Sequence, residues 1–208
     1  SKLIDPRKEL DIISDYIIEL SNNFKDIHLS IDTYNSNVAE FALSKGFSII
    51  NDISAGRYDS NIFNIVKDYN AGYVLMHMLG DPETMQENPK YDNVVQSIQL
   101  FLKTKIQELQ DSGFNNTIID PWFGFGKSID DNFKILRDLE SFQSLKRPII
   151  VGLSRKSMIY KTLNITPEES LNGTTALNTF ALEKGANILR VHDAKEALQC
   201  INLVGRLN

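Results

Sequence analysis

The sequence predicts an α/β protein built around a parallel sheet. Helical and extended patterns alternate along the whole chain, and four helix ends pass through a glycine into a strand, in the segments SKGFSII, NAGYVLM, DSGFNNTII and EKGANILR. Glycine at that junction supplies the left-handed cap that ends a helix. Repeated helix–glycine–strand units favour βα units and a parallel sheet. The fold class that fits best is a TIM (β/α)8-type barrel.

The strands are predicted from short apolar or β-branched runs. They are Ile27–Asp32, Phe47–Asn51, Tyr73–His77, Thr117–Asp120, Pro148–Leu153 and Asn187–Val191. These are six strands, whereas a TIM barrel has eight. Because the chain opens on a helix, we expect the remaining β–α–β portion to precede Ser1.

The helices are predicted from apolar residues at helical spacing and from capping residues. Asp5 and Pro6 open the first helix, and a capping box at Thr166–Glu169 opens a helix that runs to Lys184. The other predicted helices are Asn35–Lys45, Asn61–Tyr69, Tyr91–Gln110, Asp131–Phe142 and Ala194–Leu207.

Composition places the 208 residues in a single domain, residues 1–208, of ordinary globular type, with 42% hydrophobic and 24% charged residues. The net charge of -5 provides no basic surface for nucleic acid. The one cysteine, Cys200, cannot form an internal disulfide and is expected to be buried or half-buried. No apolar run approaches the roughly 20 residues that span a bilayer, and the first residues carry no signal-peptide pattern. We expect a cytoplasmic protein that binds no membrane.

The stretch Thr117–Lys127, TIIDPWFGFGK, carries the strongest functional signal. A buried strand ends there in the carboxylate of Asp120, and Gly124 and Gly126 permit unusual backbone conformations in the loop that follows. The carboxyl end of such a strand is where α/β proteins hold polar ligands. Lys127, the last residue of the stretch, is interpreted as solvated.

The other strand ends decide whether Asp120 belongs to a site. The residues at these ends are Asp32, Asn51, Met76, Asp120, Lys156 and Arg190 with His192. Each has a simpler explanation, since Asp32 fits a helix N-cap, Asn51 a turn and Met76 the core. Capping alone does not explain why polar residues would stand at so many strand ends, which meet at one end of a barrel.

These residues divide by charge. Acceptors on Asp32, Asn51 and Asp120 suit a flat heterocycle with several N–H groups, because a carboxylate can accept two parallel N–H bonds. The last two strands supply the donors Lys156, Arg190 and His192 to an anion, where TIM barrels often bind phosphate. Arg155 is interpreted as a surface charge. The inferred ligand is a ring that carries a phosphate or diphosphate.

The sequence resembles dihydropteroate synthase. The segments that carry the resemblance are DTYNSNVAEFALSKGFSIINDISAG, MHMLGDPETMQ, IIDPWFGFGK, GLSRKSMI, NGTTALNT and GANILRVHD, in family order and over nearly the whole chain. The resemblance implies a transferase of folate biosynthesis on a (β/α)8 barrel. Such enzymes join a dihydropterin-methyl diphosphate to p-aminobenzoate and release pyrophosphate with the help of Mg2+. The resemblance also implies a homodimer, and inhibition by sulfonamides.

The resemblance assigns the site residues by ligand. The pterin contacts would be Asp32, Asn51, Met76, Asp120 and Lys156, the diphosphate contacts Arg190, Val191 and His192, and the p-aminobenzoate contacts Phe125, Lys156 and Ser157. Asp120 and Lys156 would be catalytic. The implied mechanism is dissociative, with loss of diphosphate before the aniline nitrogen attacks.

The chain departs from the family pattern in several places. The family's Asn ligand to Mg2+ and its Ser-Thr-Arg-Pro loop would precede Ser1, so we assign no metal ligand in this chain. Leu79 stands where Arg is common. Trp122 stands where Gly is usual, and it would either narrow the pterin entrance or pack on the loop.

Three alternatives stay open at the level of sequence. The first is a truncated, non-catalytic pterin-binding protein. The second is a pterin-dependent methyltransferase domain, which has no need of the cluster formed by Lys156, Arg190 and His192. The third is a phosphosugar barrel enzyme, which would explain the anion site but not the carboxylate-rich ring site.

Overall fold

A computed structural model describes residues 6–77, 91–124 and 126–207 of the chain. The chain divides into two compact units, one of Ser1–His77 with Leu102–Ile118 and one of Met78–Phe101 with Ile119–Asn208. Each unit is built from parallel strands and the helices that follow them.

The described residues form eight α-helices and six β-strands. In chain order these are α1 Pro6–Asn23, β1 Ser30–Asp32, α2 Ser36–Ser44, β2 Ile49–Asp52, α3 Ile62–Asp68, β3 Gly72–Met76, α4 Val94–Asp111, β4 Thr117–Asp120, α5 Ile129–Arg137, β5 Ile150–Val151, α6 Ser157–Leu163, α7 Leu171–Glu183, β6 Ile188–Leu189 and α8 Ala194–Val204. Two 3-10 helices, Leu139–Leu145 and Glu168–Ser170, complete the elements.

The four-stranded sheet has the strand order β1-β2-β3-β4. The β1–β2 and β2–β3 pairs are parallel, and their register places Asp32 opposite Asn51 and Asp52 opposite Leu75. All five residues of β3 are buried, as expected for a parallel strand with both faces covered. Ile17 of α1 packs with Ala42 and Phe47, which joins α1 to the core of this unit.

The sheet of the second unit is shorter. β5 and β6 pair in parallel through Ile150 with Ile188 and Val151 with Leu189. A single parallel bridge from Ile119 to Ile149 brings the end of β4 beside them. Cys200 of α8 is buried, and its Sγ lies 3.7 Å from the carbonyl oxygen of Thr175, which confirms the expected burial of the cysteine.

Every predicted strand and helix is present, with differences at the boundaries. The helix predicted over Asp131–Phe142 is wrong in its second half, because α5 ends at Arg137 and a 3-10 helix follows. The capping box at Thr166 is formed, but its helix begins with a 3-10 turn and becomes α-helical at Leu171.

Helix α6 was not predicted. It has only seven residues, of which Met158 and Ile159 are buried, so it carries too little apolar periodicity to be recognised. Among the helices that the structure describes, none combines the length and apolarity that crossing a bilayer requires.

A buried carboxylate fixes the loop between β2 and α3. Asp52, with no exposed surface, accepts hydrogen bonds from the backbone N–H groups of Ser54 and Gly56, each at 2.7 Å, and from the Tyr73 hydroxyl at 2.8 Å. Burial, and then the Asp52 charge, raise the pKa of Tyr73 well above its ordinary value. Gly56 has a φ of +75°, and a Cβ there would lie 2.3 Å from the ring of Phe63. This loop therefore requires glycine at position 56.

We expect the substitution Gly56→Ala to lower the free energy of unfolding by about 2 kcal/mol, because it adds steric overlap to left-handed strain. Gly46→Ala is the matched control, since its φ of +108° is also left-handed but nothing lies within 4 Å of its Cβ position. Urea unfolding of both variants measures the difference. Equal losses would show that the Phe63 ring moves aside without cost.

Candidate active site

The first unit holds a carboxylate–amide pair at the carboxyl ends of β1 and β2. The parallel register sets Asp32 beside Asn51, and Asn51 Nδ2 donates to Asp32 Oδ1 at 2.7 Å. Asp32 is exposed, whereas Asn51 is only 3% exposed. The Oδ1 atom of Asn51 is buried and accepts no hydrogen bond from the described residues. Because a buried acceptor without a partner is costly, this oxygen is suited to an N–H donor of a ligand.

The structure tests the simpler interpretations of these residues. The N-cap of α2 is Asn35, whose side chain accepts from the N–H of Asn37 at 3.0 Å, so the capping explanation for Asp32 is wrong. Asn51 lies inside β2 and not in a turn. Met76 ends β3 and is 1% exposed, which is consistent with core packing.

The second unit is organised around Asp120, the last residue of β4, which has no exposed surface. Its Oδ1 accepts from the backbone N–H of Trp122 at 2.7 Å, and its Oδ2 lies 3.4 Å from Nη2 of Arg190. Burial raises the pKa of Asp120, and the charges of Arg190, Lys156 and Lys127 oppose that rise. Within the part of the chain that the structure describes, the carboxylate therefore has cations around it but a single close hydrogen bond.

Lys156 reaches this cluster from the loop before α6. Its amine donates to the carbonyl oxygen of Phe123 and lies 4.1 Å from the ring centroid of Trp122. Burial lowers the pKa of Lys156 to about 8, with Asp120 acting in the opposite direction. A Cβ on Gly124 would lie 3.3 Å from the amine nitrogen. The absence of a side chain at Gly124 therefore makes room for the Lys156 amine.

Arg190 and His192 follow β6 and are held by residues on and after β5. The backbone N–H of Arg190 donates to the carbonyl of Val151 at 2.8 Å. The Arg190 guanidinium lies against Gly152, where a Cβ would be 3.2 Å from Nε. Nδ1 of the exposed His192 ring lies 3.1 Å from the hydroxyl of Ser154.

The structure thus brings together some of the residues predicted from sequence. Asp32 and Asn51 form one pair, while Asp120, Lys156 and Arg190 form one cluster with Trp122. Ser157 opens α6 directly after Lys156, and Val191 lies between Arg190 and His192. Phe125 and Leu79 lie outside the described residues. Arg155 forms a bidentate ion pair with Asp193, with hydrogen bonds of 2.8 and 3.1 Å, so its guanidinium is paired outside the cluster.

The interpretation of Lys127 as solvated is wrong. Its Nζ is buried and has no hydrogen-bond partner among the described residues. Burial lowers the pKa of Lys127 to about 7, against the opposing charge of Asp120. The only local signal for this inward position is the neighbouring glycines, since Gly124 and Gly126 both have positive φ and let the loop fold back.

Sequence reasoning also missed the support of the loop after β4. Asn132 of α5 is 2% exposed, and its Oδ1 accepts from the N–H of Gly124 at 2.7 Å. Its Nδ2 donates to the carbonyl of Ser128 at 2.7 Å. Ser128 in turn caps α5 in a capping box with Asp131. The start of α5 therefore holds the loop in place.

Comparison with known proteins points to one family. The model of the family described as pterin binding enzyme matches residues 1–192. A bifunctional dihydropteroate synthase/dihydropteroate reductase of Helicobacter pylori is 35% identical over 205 residues, which are 98% of this chain and 54% of that protein. The dihydropteroate synthase of Escherichia coli K12 is 34% identical over 203 residues, 97% of this chain and 71% of that protein. This chain therefore spans about half the length of the first relative.

A solved structure shows the same likeness. The dihydropteroate synthase of Yersinia pestis, described in complex with a sulfonamide drug, superimposes with a TM-score of 0.92 at 32% identity. The match covers 98% of this chain and 74% of that one. The predicted fold class, an α/β protein of the TIM-barrel type, is thereby confirmed.

We expect the free energy of unfolding to rise between pH 7 and about 10.5 because of Lys127. Over this range the unfolded chain, with a lysine pKa of 10.5, binds a proton that the folded chain, with a pKa of about 7, does not bind. The contribution is at most about 1.4 kcal/mol per pH unit. Substitution Lys127→Met should remove it, so that the variant gains stability relative to the parent as the pH falls towards 7.

Urea unfolding of both proteins at pH 6.5, 8 and 9.5 measures this difference, and Lys195→Met on the exposed start of α8 is the control. If Lys127→Met and the parent show the same pH slope, the amine is not buried in solution.

Proposed function

We propose an activity for this chain from its family: the chain belongs to the pterin-binding enzymes, and the relatives that it matches are dihydropteroate synthases. The proposed activity is the transfer of a dihydropterin-methyl group from its diphosphate to the amine of p-aminobenzoate. The products are 7,8-dihydropteroate, an intermediate of folate biosynthesis, and pyrophosphate. The observation that carries the proposal is the buried Asp120 carboxylate with Lys156 and Arg190 beside it.

Each of the acceptors that the resemblance assigns to the pterin ring has capacity for an N–H group. Oδ2 of Asp120 makes only a long 3.4 Å contact with Arg190, so it retains capacity for an N–H group of a guanidine-like ring edge. Asn51 offers a buried Oδ1 without a partner, and the exposed Asp32 keeps one carboxylate oxygen beyond its bond to Asn51. We assign Asp32, Asn51 and Asp120 to the ring, with Met76 as an apolar contact.

The donors suit the diphosphate. Arg190 presents a guanidinium whose side chain is 33% exposed, and Lys156 and His192 add two further groups that donate when protonated. A guanidinium can donate two parallel hydrogen bonds to one phosphate group, whereas an ammonium acts as a point charge. We assign Arg190, Val191 and His192 to the diphosphate, and Lys156 to both the pterin and the leaving group.

The proposed reaction proceeds by loss of the leaving group before attack. The bond between the pterin methylene carbon and the diphosphate oxygen breaks, and its electron pair leaves with pyrophosphate. The amine nitrogen of p-aminobenzoate then forms a bond to that carbon and releases its proton to solvent. Lys156 and Arg190 offset the negative charge that develops on the diphosphate, and Asp120 stabilises the positive pterin. Charges placed in advance are expected to supply most of the rate enhancement.

Mg2+ is part of the proposal only as an ion that arrives with the diphosphate. Among the described residues, no three carboxylate, histidine or cysteine groups lie close enough to hold a metal ion. Mg2+ is often held by substrate phosphates and few protein ligands, so such a cluster is not required. No step above depends on the ion.

The remaining partners are proposed from the resemblance alone. We assign Phe125, Lys156 and Ser157 to p-aminobenzoate. The Yersinia pestis structure is described with a sulfonamide drug, and on that ground we propose sulfonamides as inhibitors of this chain. A homodimer and a cytoplasmic location complete the proposal.

We expect the chain, in a buffer that contains Mg2+, to release pyrophosphate from dihydropterin-methyl diphosphate when p-aminobenzoate is added and not in its absence. Substitution Asp120→Asn should weaken binding of the diphosphate substrate by about ten- to hundredfold, because it removes a charge-assisted acceptor. Titration calorimetry measures binding, and Asp138→Asn, which removes an exposed ion pair with Arg137, is the control.

Binding without release would instead support a non-catalytic pterin-binding protein. Unchanged affinity in Asp120→Asn would reject the assignment of Asp120 to the pterin.

We expect pyrophosphate affinity to fall as the pH rises through about 8. Lys156, with its pKa lowered to about 8, loses its charge in this range and no longer attracts an anion. Substitution Lys156→Arg should retain its charge and remove this part of the pH dependence. Titration of both proteins with pyrophosphate between pH 7 and 9.5 is the measurement. Parallel pH profiles would show that Lys156 does not contact the anion.

A further inference from the structure

Trp122 has an unusual backbone conformation for a bulky residue. Its φ is +57°, in the left-handed region that favours glycine. A large side chain stays in this region only when its surroundings hold it there. Trp122 is also the one tryptophan of the chain, so its fluorescence reports on this position alone.

Trp122 contacts three of the proposed substrate-binding groups. Its backbone N–H donates to Asp120 at 2.7 Å. Its ring centroid lies 4.1 Å from the amine of Lys156 and 5.1 Å from Cζ of Arg190. Both distances are within the range of cation–π attraction. One indole ring therefore contacts both cations of the cluster.

Both cations also have contacts other than the indole. Lys156 lies against Gly124 and donates to the carbonyl of Phe123. Arg190 lies against Gly152 and reaches Asp120. The surface of each cation is thus shared among backbone, an internal acceptor and the Trp122 ring. A ligand that carries a flat ring and an anion needs the same cation surfaces that the indole covers.

We propose that Trp122 is a specificity-determining residue, because its indole competes with the ligand for Lys156 and Arg190 and must move away when an anion or a flat ring binds there. This inference rests on the proposed function for the identity of the ring, but the anion alone is enough to test it. Trp122 therefore favours ligands that carry both an anion and a flat ring, because such a ligand can replace the two cation–π contacts that the indole gives up. Ligands with a ring but no anion bind at a disadvantage.

The first test is the affinity for inorganic pyrophosphate, measured by calorimetry on the parent chain and on Trp122→Gly. Glycine adopts the φ of +57° without strain, so the backbone and Asp120 keep their positions. We expect Trp122→Gly to bind pyrophosphate about five- to thirtyfold more tightly, from the release of two cation–π contacts. Trp122→Phe keeps an aromatic ring with a weaker cation–π contact, so its pyrophosphate affinity should lie between those of the parent and Trp122→Gly. It provides a second measurement if the glycine variant misfolds.

A matched control removes a similar contact elsewhere. The ring centroid of Phe180, on α7, lies 5.9 Å from the amine nitrogen of Lys184. Phe180→Ala therefore deletes a cation–π contact outside the cluster. Its pyrophosphate affinity should equal that of the parent. Weaker or unchanged pyrophosphate binding by Trp122→Gly would overturn the inference, since the indole would then be a binding surface or a bystander.

The second test is the fluorescence of Trp122 in the parent chain. Pyrophosphate absorbs no light in the tryptophan range, and its binding should shift the emission to longer wavelength as the indole moves into water. Sodium chloride at equal ionic strength controls for salt. Emission that stays unchanged while pyrophosphate is bound would overturn the inference.

The outcome separates this inference from the proposed function. Tighter pyrophosphate binding by Trp122→Gly, without any binding of dihydropterin-methyl diphosphate by either protein, would reject the proposed function and retain the inference. Pterin binding that is equal in both proteins, together with equal pyrophosphate binding, would retain the proposed function and reject the inference.

Discussion

The burial of the Asp120 carboxylate is the constraint on which the candidate site depends. A fully buried charge is tolerated only when hydrogen bonds and opposite charges compensate for its lost hydration. Here one backbone N–H, from Trp122, and the charges of Arg190 and Lys156 provide the compensation. The turn after β4 must therefore aim the Trp122 N–H at Asp120. The loops after β5 and β6 must bring their cations to the same carboxylate.

A comparison of the two buried aspartates shows why Asp120 is suited to a ligand and Asp52 is not. Asp52 accepts three hydrogen bonds from uncharged donors at 2.7–2.8 Å, and all of these donors are buried or part of the backbone. Asp120 has one close hydrogen bond and a 3.4 Å contact to an arginine that is partly exposed. The first carboxylate has three close hydrogen bonds and fixes a loop. The second retains acceptor capacity beside cations that a ligand can reach.

Glycines next to the cations are as important to this site as the charges. A side chain at Gly124 or Gly152 would approach the Lys156 amine or the Arg190 guanidinium to within about 3.3 Å, so either substitution would crowd a cation in its present position. At Trp122 the opposite holds, because a large ring occupies a left-handed position and covers both cations. In the loop after β4, Gly124 thus leaves space beside the Lys156 amine, whereas the Trp122 ring occupies space beside Lys156 and Arg190.

The sequence by itself determined the order of the six strands and of seven of the eight helices, the parallel α/β class and the polar residues at the strand ends. These features depend on local patterns, because apolar runs, helix caps and glycine junctions are each formed by residues close together in the sequence. The tertiary structure alone decided that Asn51 bonds to Asp32, that the Lys127 amine is buried, and that Trp122 lies over Lys156 and Arg190. Each of these facts depends on contacts between residues distant in sequence or on how deeply a side-chain tip is enclosed. Local periodicity does not encode such contacts, because burial is a property of the packed chain and not of any one segment.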